Sequence, residues 1–162
     1  MALRFSPVNR QIFGPGRQST DVLIYPCVYG GPSGYRPITT EMAHALTTNY
    51  WHQGADGIYL FNYGPGQCEL HDPAGMRGKD KFFAADRGRP RWNYPHNWIH
   101  CVLPASVGPG RPIEVPITIG EDLTEPPRPS AIVLKVVCSD ATPENKLSLT
   151  LNDAPLSDPH PS

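Results

Sequence analysis

Excess positive charge is missing from this chain: among 162 residues, 14 Lys and Arg stand against 15 Asp and Glu, a net charge of -1. Such a balance leaves no electrostatic footprint for nucleic acid or for an anionic membrane, and neither is expected as a partner. Long apolar runs are missing too. No stretch approaches the roughly 20 apolar residues of a membrane span, and the N-terminal Met-Ala-Leu-Arg-Phe-Ser-Pro lacks the apolar core of an export signal. As written, the chain is expected to be soluble and cytoplasmic, although a longer parent protein could carry an export signal. The four cysteines, Cys27, Cys68, Cys101 and Cys138, form no Cys-x-x-Cys and no zinc-type pairing with histidine. No metal is expected. Cys27 and Cys138 fall in apolar strand patterns, where a free cysteine usually serves as a small buried hydrophobe.

What the chain has in quantity is turn chemistry. Its 15 Gly and 20 Pro make up roughly a fifth of the residues, just short of the composition that signals disorder, so a loop-rich globular chain is expected. Its length allows one respectable core or two small ones. The most regular stretch runs from Asp21 to Asn62. Thr20 to Tyr29 is a near-continuous apolar run of strand length, with Pro26 suited to an edge or bulge. A helix follows, starting near Thr39 or Thr40 with Glu41 in its first turn, and carrying Met42, Ala45, Leu46, Asn49 and Tyr50 on one stripe. Gly54 suits the left-handed position that closes it. Gly57-Ile-Tyr-Leu-Phe-Asn62 is the second strand. Together they read as one βαβ unit, whose parallel strands would normally be covered on both faces.

The loop Gly30-Gly-Pro-Ser-Gly-Tyr35 lies where a phosphate cradle could sit, but it lacks the Gly-x-Gly-x-x-Gly spacing and the Lys-Ser/Thr of a P-loop, and Pro32 removes an amide. No cofactor is expected. In α/β folds ligands gather at the carboxyl ends of strands, which makes Tyr29, Tyr35, Asn62, Tyr63 and Glu69 the candidate ligand-binding residues. The tyrosines offer an apolar ring with a polar tip, suited to sugar. Asp21 and Asp56 sit at the opposite, amino ends.

The segment Gly54-Ala-Asp-Gly-Ile-Tyr-Leu-Phe-Asn62, preceded by a helix ending Asn49-Tyr-Trp51, resembles the last helix and strand of a TIM-barrel family of bacterial glycoside-hydrolase-like proteins. In that family a C-terminal β-sandwich follows the barrel, and Gly78-Lys-Asp-Lys81 and Leu151-Asn-Asp153 are similar to its later landmarks. The resemblance implies that Asp21 to Tyr29 and Gly57 to Asn62 are the final two barrel strands, with roughly six others absent. Glycoside hydrolysis usually needs two carboxyl groups about 5–10 Å apart. At the strands' carboxyl ends the nearest acid is Glu69 alone, so catalytic residues are not assigned.

Downstream, Asp72-Pro73 has the chemistry of a short helix start that Gly78 could end. Trp92, Tyr94 and Trp98 form an aromatic group suited to an interdomain seam or to a carbohydrate platform. His96 and His100 have a metal spacing, but Pro95 argues against the helix it needs. Ile113, Val115, Ile117 and Ile119 alternate with other residues, as do Leu147, Leu149 and Leu151. Ala131 to Cys138 reads as a longer strand, and Ile99 to Leu103 as another. Asn152-Asp153 reads as a turn whose following strand is broken by Pro155.

The fold class expected is therefore α/β plus all-β: a partial (β/α) barrel βαβ unit followed by a partial antiparallel β-sandwich. The boundaries are 1–66 for the barrel segment, 67–111 for an irregular connection and 112–162 for the sandwich. Three functions follow: a C-terminal fragment of a glycoside-hydrolase-like parent, catalytically incomplete alone; a carbohydrate-binding module; or an interaction module using strand edges. Self-association through uncovered apolar faces is expected.

Overall fold

The computed structural model describes residues 2–3, 5–6, 23–29, 38–63, 68–85, 103–140, 142, 144 and 146–156. Its best-formed part grows from one helix, α1, Thr40–His52. Thr39 caps it from an extended backbone, its hydroxyl accepting from the Met42 amide at 3.2 Å, and Glu41 lies in the first turn. At the other end the backbone turns at Gly54, whose φ of 87° is left-handed.

Helix α1 connects two parallel strands, β3 (Cys27–Tyr29) and β4 (Tyr59–Phe61). Their register pairs Cys27 with Tyr59, Val28 with Leu60 and Tyr29 with Phe61. A second tie lies at the amino ends: the Ile24 amide donates to Asp56 Oδ2 at 2.8 Å, and the Asp56 amide donates to the Ile24 carbonyl at 2.9 Å. Cover is one-sided. Val28 is fully buried, yet Tyr59, Leu60 and Phe61 are 55, 40 and 48% exposed. Cys27, expected as a buried hydrophobe, is exposed with a free thiol, because successive strand residues point to opposite faces and only the Val28 face is packed.

The buried arc of α1 is displaced from the stripe expected from periodicity: Ala43, His44, Thr47 and Thr48 are buried along with Met42 and Ala45, whereas Leu46, Asn49 and Tyr50 are only partly buried. The reason is a second layer. On that side lie a 3₁₀ turn, Cys68–His71, and a run of turns over 73–78, with Ala43, Leu70 and Met76 forming a small core joined by Ile38 and Tyr63. Asp72 begins the turns, its Oδ1 accepting from the Ala74 amide at 2.9 Å, and Gly78 closes them at φ 71°. The expected short helix is thus a series of turns. Residues 81–85 then pass α1 as an extended segment, the Phe82 amide donating to the Glu41 carbonyl at 2.9 Å.

Two polar clamps hold residues 118–121 to this unit. Asn49 donates from Nδ2 to the Thr118 carbonyl at 3.1 Å and accepts from the Gly120 amide at 2.6 Å. Gly120 must lack a side chain, because a Cβ there would lie 2.7 Å from the Asn49 Cα. The second clamp is an ion pair between Lys81 and Glu121 at 2.9 Å, with Lys81 also donating to the Met76 carbonyl at 2.6 Å.

A second core gathers Ala85 and Val115 with Leu103, Ile113, Ile117, Leu134, Val136 and Leu151. The alternation of residues 113–119 and 147–151 survives as burial, with Val115 and Leu149 innermost. Ladders are short: β5 (Ile117–Thr118) and β6 (Thr150–Leu151) span two residues each. They pair in parallel with the N-terminal β2 (Phe5–Ser6) and β1 (Ala2–Leu3), respectively. The chain's first residues therefore associate with its last third. The turn at Asn152 and Asp153, with φ 48° and 66°, does lead into another strand, β7 (Ala154–Pro155), antiparallel to β6. Pro155 shortens this strand without preventing it.

Residues 131–138 form no ladder among the described residues, with Leu134 and Val136 half-buried and Val133 and Val137 84 and 83% exposed. Cys138, at the end of that segment, is exposed rather than buried. Residues 99–102 of the expected Ile99 to Leu103 strand and the aromatic group at 92–98, with His96 and His100, lie outside the described residues. Among the described residues no helix is long and apolar enough to cross a membrane.

Candidate functional site

At the carboxyl ends of β3 and β4 the structure brings Tyr29 and Phe61 together. The Tyr29 and Phe61 rings stand 5.9 Å apart with planes tilted by 33°. Asn62 follows, exposed and left-handed at φ 48°, a conformation that Asn tolerates better than most residues. Tyr63 turns back to pack on the Ala43, Leu70 and Met76 core, and this burial raises the pKa of its phenol above the ordinary 10.0. It serves the core as well as the mouth. Tyr35 lies outside the described residues.

Glu69 is set on the 3₁₀ turn, 3.6 Å from Nε2 of the buried His44, within ion-pair reach but beyond a hydrogen bond. His44 Nδ1 lies 3.1 Å from the Asp80 carbonyl, and because a carbonyl only accepts, that nitrogen carries the hydrogen. In the neutral ring Nε2 is then a bare acceptor facing a carboxylate. Chemically this is one carboxyl group with one imidazole, not two carboxyl groups across a glycosidic bond. In the sequence, residues 30–37 after β3 and 62–68 after β4 contain no Asp or Glu. Asp56 is spent at the opposite end on the Ile24 amide.

Another concavity lies elsewhere among the described residues. A cavity of about 340 Å³ opens beside the C-terminal turn of α1, between the 73–77 turns and the loop 120–127. Trp51, Pro126 and Pro127 give it apolar walls; Thr48, Arg77 and Glu125 are among its polar lining. Trp51 is fixed by its indole N–H, which donates to the Leu70 carbonyl at 3.1 Å. Because α1 runs back from β3 to the start of β4, its C-terminal turn belongs to the amino-end side of the strand pair. Of the candidate ligand-binding residues, Tyr29, Asn62, Tyr63 and Glu69 do not line this cavity. Its walls come from three separate segments, 48–52, 73–77 and 120–127, and only Trp51 near a helix end was visible as a large aromatic.

Among the described residues no group of three or more His, Cys, Asp or Glu could hold a metal ion. Comparisons with protein-family models, with curated proteins and with solved structures return no match for this chain.

Proposed function

We propose that this chain carries the closing βαβ unit of a (β/α) barrel and part of a β-sandwich from a glycoside-hydrolase-like parent, and that by itself it is catalytically incomplete. The observation that carries the reading is the parallel pair β3/β4, crossed by α1, whose apolar Tyr59, Leu60 and Phe61 stand uncovered, while the sequence following each strand, 30–37 and 62–68, holds no acid. Parallel strands are found almost always in sheets covered on both faces. A glycosidase built on such strands would also place its carboxyl pair on those loops. The exposed thiols of Cys27 and Cys138 suit a reducing compartment, so we place the chain's work in the cytoplasm.

The test is a broad panel of aryl glycosides offered to the purified chain. No turnover is expected. A measurable rate that Glu69→Gln abolishes would show that the His44/Glu69 pair is a working site and would overturn the reading. The bare apolar strand residues also favour a second reading, an interaction module that pairs through its strand edges.

A further inference from the structure

Residues 131–138, Ala-Ile-Val-Leu-Lys-Val-Val-Cys, are a strand in everything but pairing. Ile132, Val133, Val136 and Val137 are β-branched, the side chains that favour extended backbone. Burial alternates as it does along a strand. Leu134 and Val136 pack on the Ala85/Val115 core, while Val133 and Val137 are 84 and 83% exposed, with Lys135 exposed between them. Yet among the described residues no backbone hydrogen bond reaches this segment. Its side chains hold it over the core, and its amides and carbonyls are open to a neighbour. A row of backbone groups left open in this way is matched best by another strand.

The side chains decide which strand. When a second copy is laid antiparallel with Leu134 opposite Leu134, Ile132 faces Val136 on the core side, and on the solvent side Val133 faces Lys135 and Ala131 faces Val137. The core side then joins apolar residues only, and it brings cover to Ile132, which is 66% exposed in the single chain. On the solvent side the one charged residue of the segment lies against a valine, which its alkyl stem covers while the ammonium stays in water. Alternatives are worse. The other register of equal overlap is centred on Lys135 and sets two ammonium groups opposite each other, as does parallel in-register stacking, and like charges so placed destabilise. A register displaced by one residue turns the core residues of one copy to the solvent side of the other. With a net charge of -1, two copies repel each other little.

We infer that residues 131–138 are a dimerisation strand, which pairs antiparallel with the same segment of a second copy about a two-fold axis at Leu134. The inference rests on the reading of the chain as a module that pairs through its strand edges, and it names the edge and the partner. It does not depend on β3/β4 or on the barrel reading.

The test is hydrogen–deuterium exchange of the full chain, followed by peptide at rising protein concentration. Alternate amides of 131–138, those that face the partner, should exchange about tenfold more slowly at high than at low micromolar concentration. Val133→Lys alters an exposed side chain, so the melting temperature of the dilute chain should hold. In this register, however, it opposes ammonium groups on both sides of the axis, and the slowing should vanish. Adding Lys135→Glu turns both contacts into ion pairs and should restore it. Exchange in 131–138 that ignores concentration, slowing that Val133→Lys leaves intact, or slowing that Lys135→Glu fails to restore would overturn the inference. Slowing at 59–61 without slowing at 131–138 would overturn it and leave the strand-edge reading standing, whereas no slowing in any segment would sink both.

Discussion

At the scale of single residues, two glycines carry different burdens. Gly54 holds φ 87° after the helix, so Gly54→Val should cost on the order of 1 kcal/mol or more, whereas His52→Ala changes an exposed position and should cost little. Equal melting temperatures for the two variants would count against that boundary. Gly120 is needed for space: an added Cβ would meet the Asn49 backbone, and Gly120→Ala should destabilise by about 1–3 kcal/mol in chemical denaturation. The first glycine was legible in the sequence because a helix pattern stops just before it. The second was not, because the atom that excludes a side chain is 71 residues away. Tyr63 gives a pH signature. Its pKa is raised on folding, so the stability it contributes is complete below the unfolded value of 10.0 and is lost as pH climbs through the higher folded value. Thermal melts should therefore fall less steeply above pH 10.0 for Tyr63→Phe than for the parent chain.

At the scale of elements, the helix, its cap and its two flanking strands follow local chemistry, and these were legible. What periodicity missed is the second layer. A polar Asn49 read as part of the helix stripe turns out to clamp Thr118 and Gly120, and buried His44, Thr47 and Thr48 face a layer that the helix pattern does not encode. The alternation of Ile113, Val115, Ile117 and Ile119 foretold burial but not pairing, since a ladder depends on a partner found elsewhere in the chain. Lys81 joins the connecting segment to Glu121. Lys81 is 5% exposed and Glu121 22%, so removing one partner strands a largely buried charge. Glu121→Leu should cost about 3 kcal/mol, and the double change Lys81→Met with Glu121→Leu should restore most of it. A double variant as unstable as the single one would show that the pair's worth lies in its other contacts.

At the scale of the whole molecule, the strands of residues 2–6 pair with β5 and β6, so the chain closes on itself across the segments that composition separates. That pairing was illegible, because two-residue strands carry no period. The candidate mouth was only partly legible. Tyr29 and Asn62 do stand at the carboxyl ends of a parallel pair, but Tyr63 is partly consumed by the core, and the cavity at the opposite end is assembled from distant segments without a motif. Tyr59, Leu60 and Phe61 of β4 and the exposed Val133 and Val137 remain uncovered. Light scattering of the purified chain at micromolar concentration, run beside Leu60→Lys and Phe61→Lys, tests most directly whether β3/β4 is part of a larger covered sheet. The account predicts self-association that both variants reduce. A monomer that unfolds cooperatively, unchanged by either substitution, would mean that the strand pair needs no cover and would contradict it.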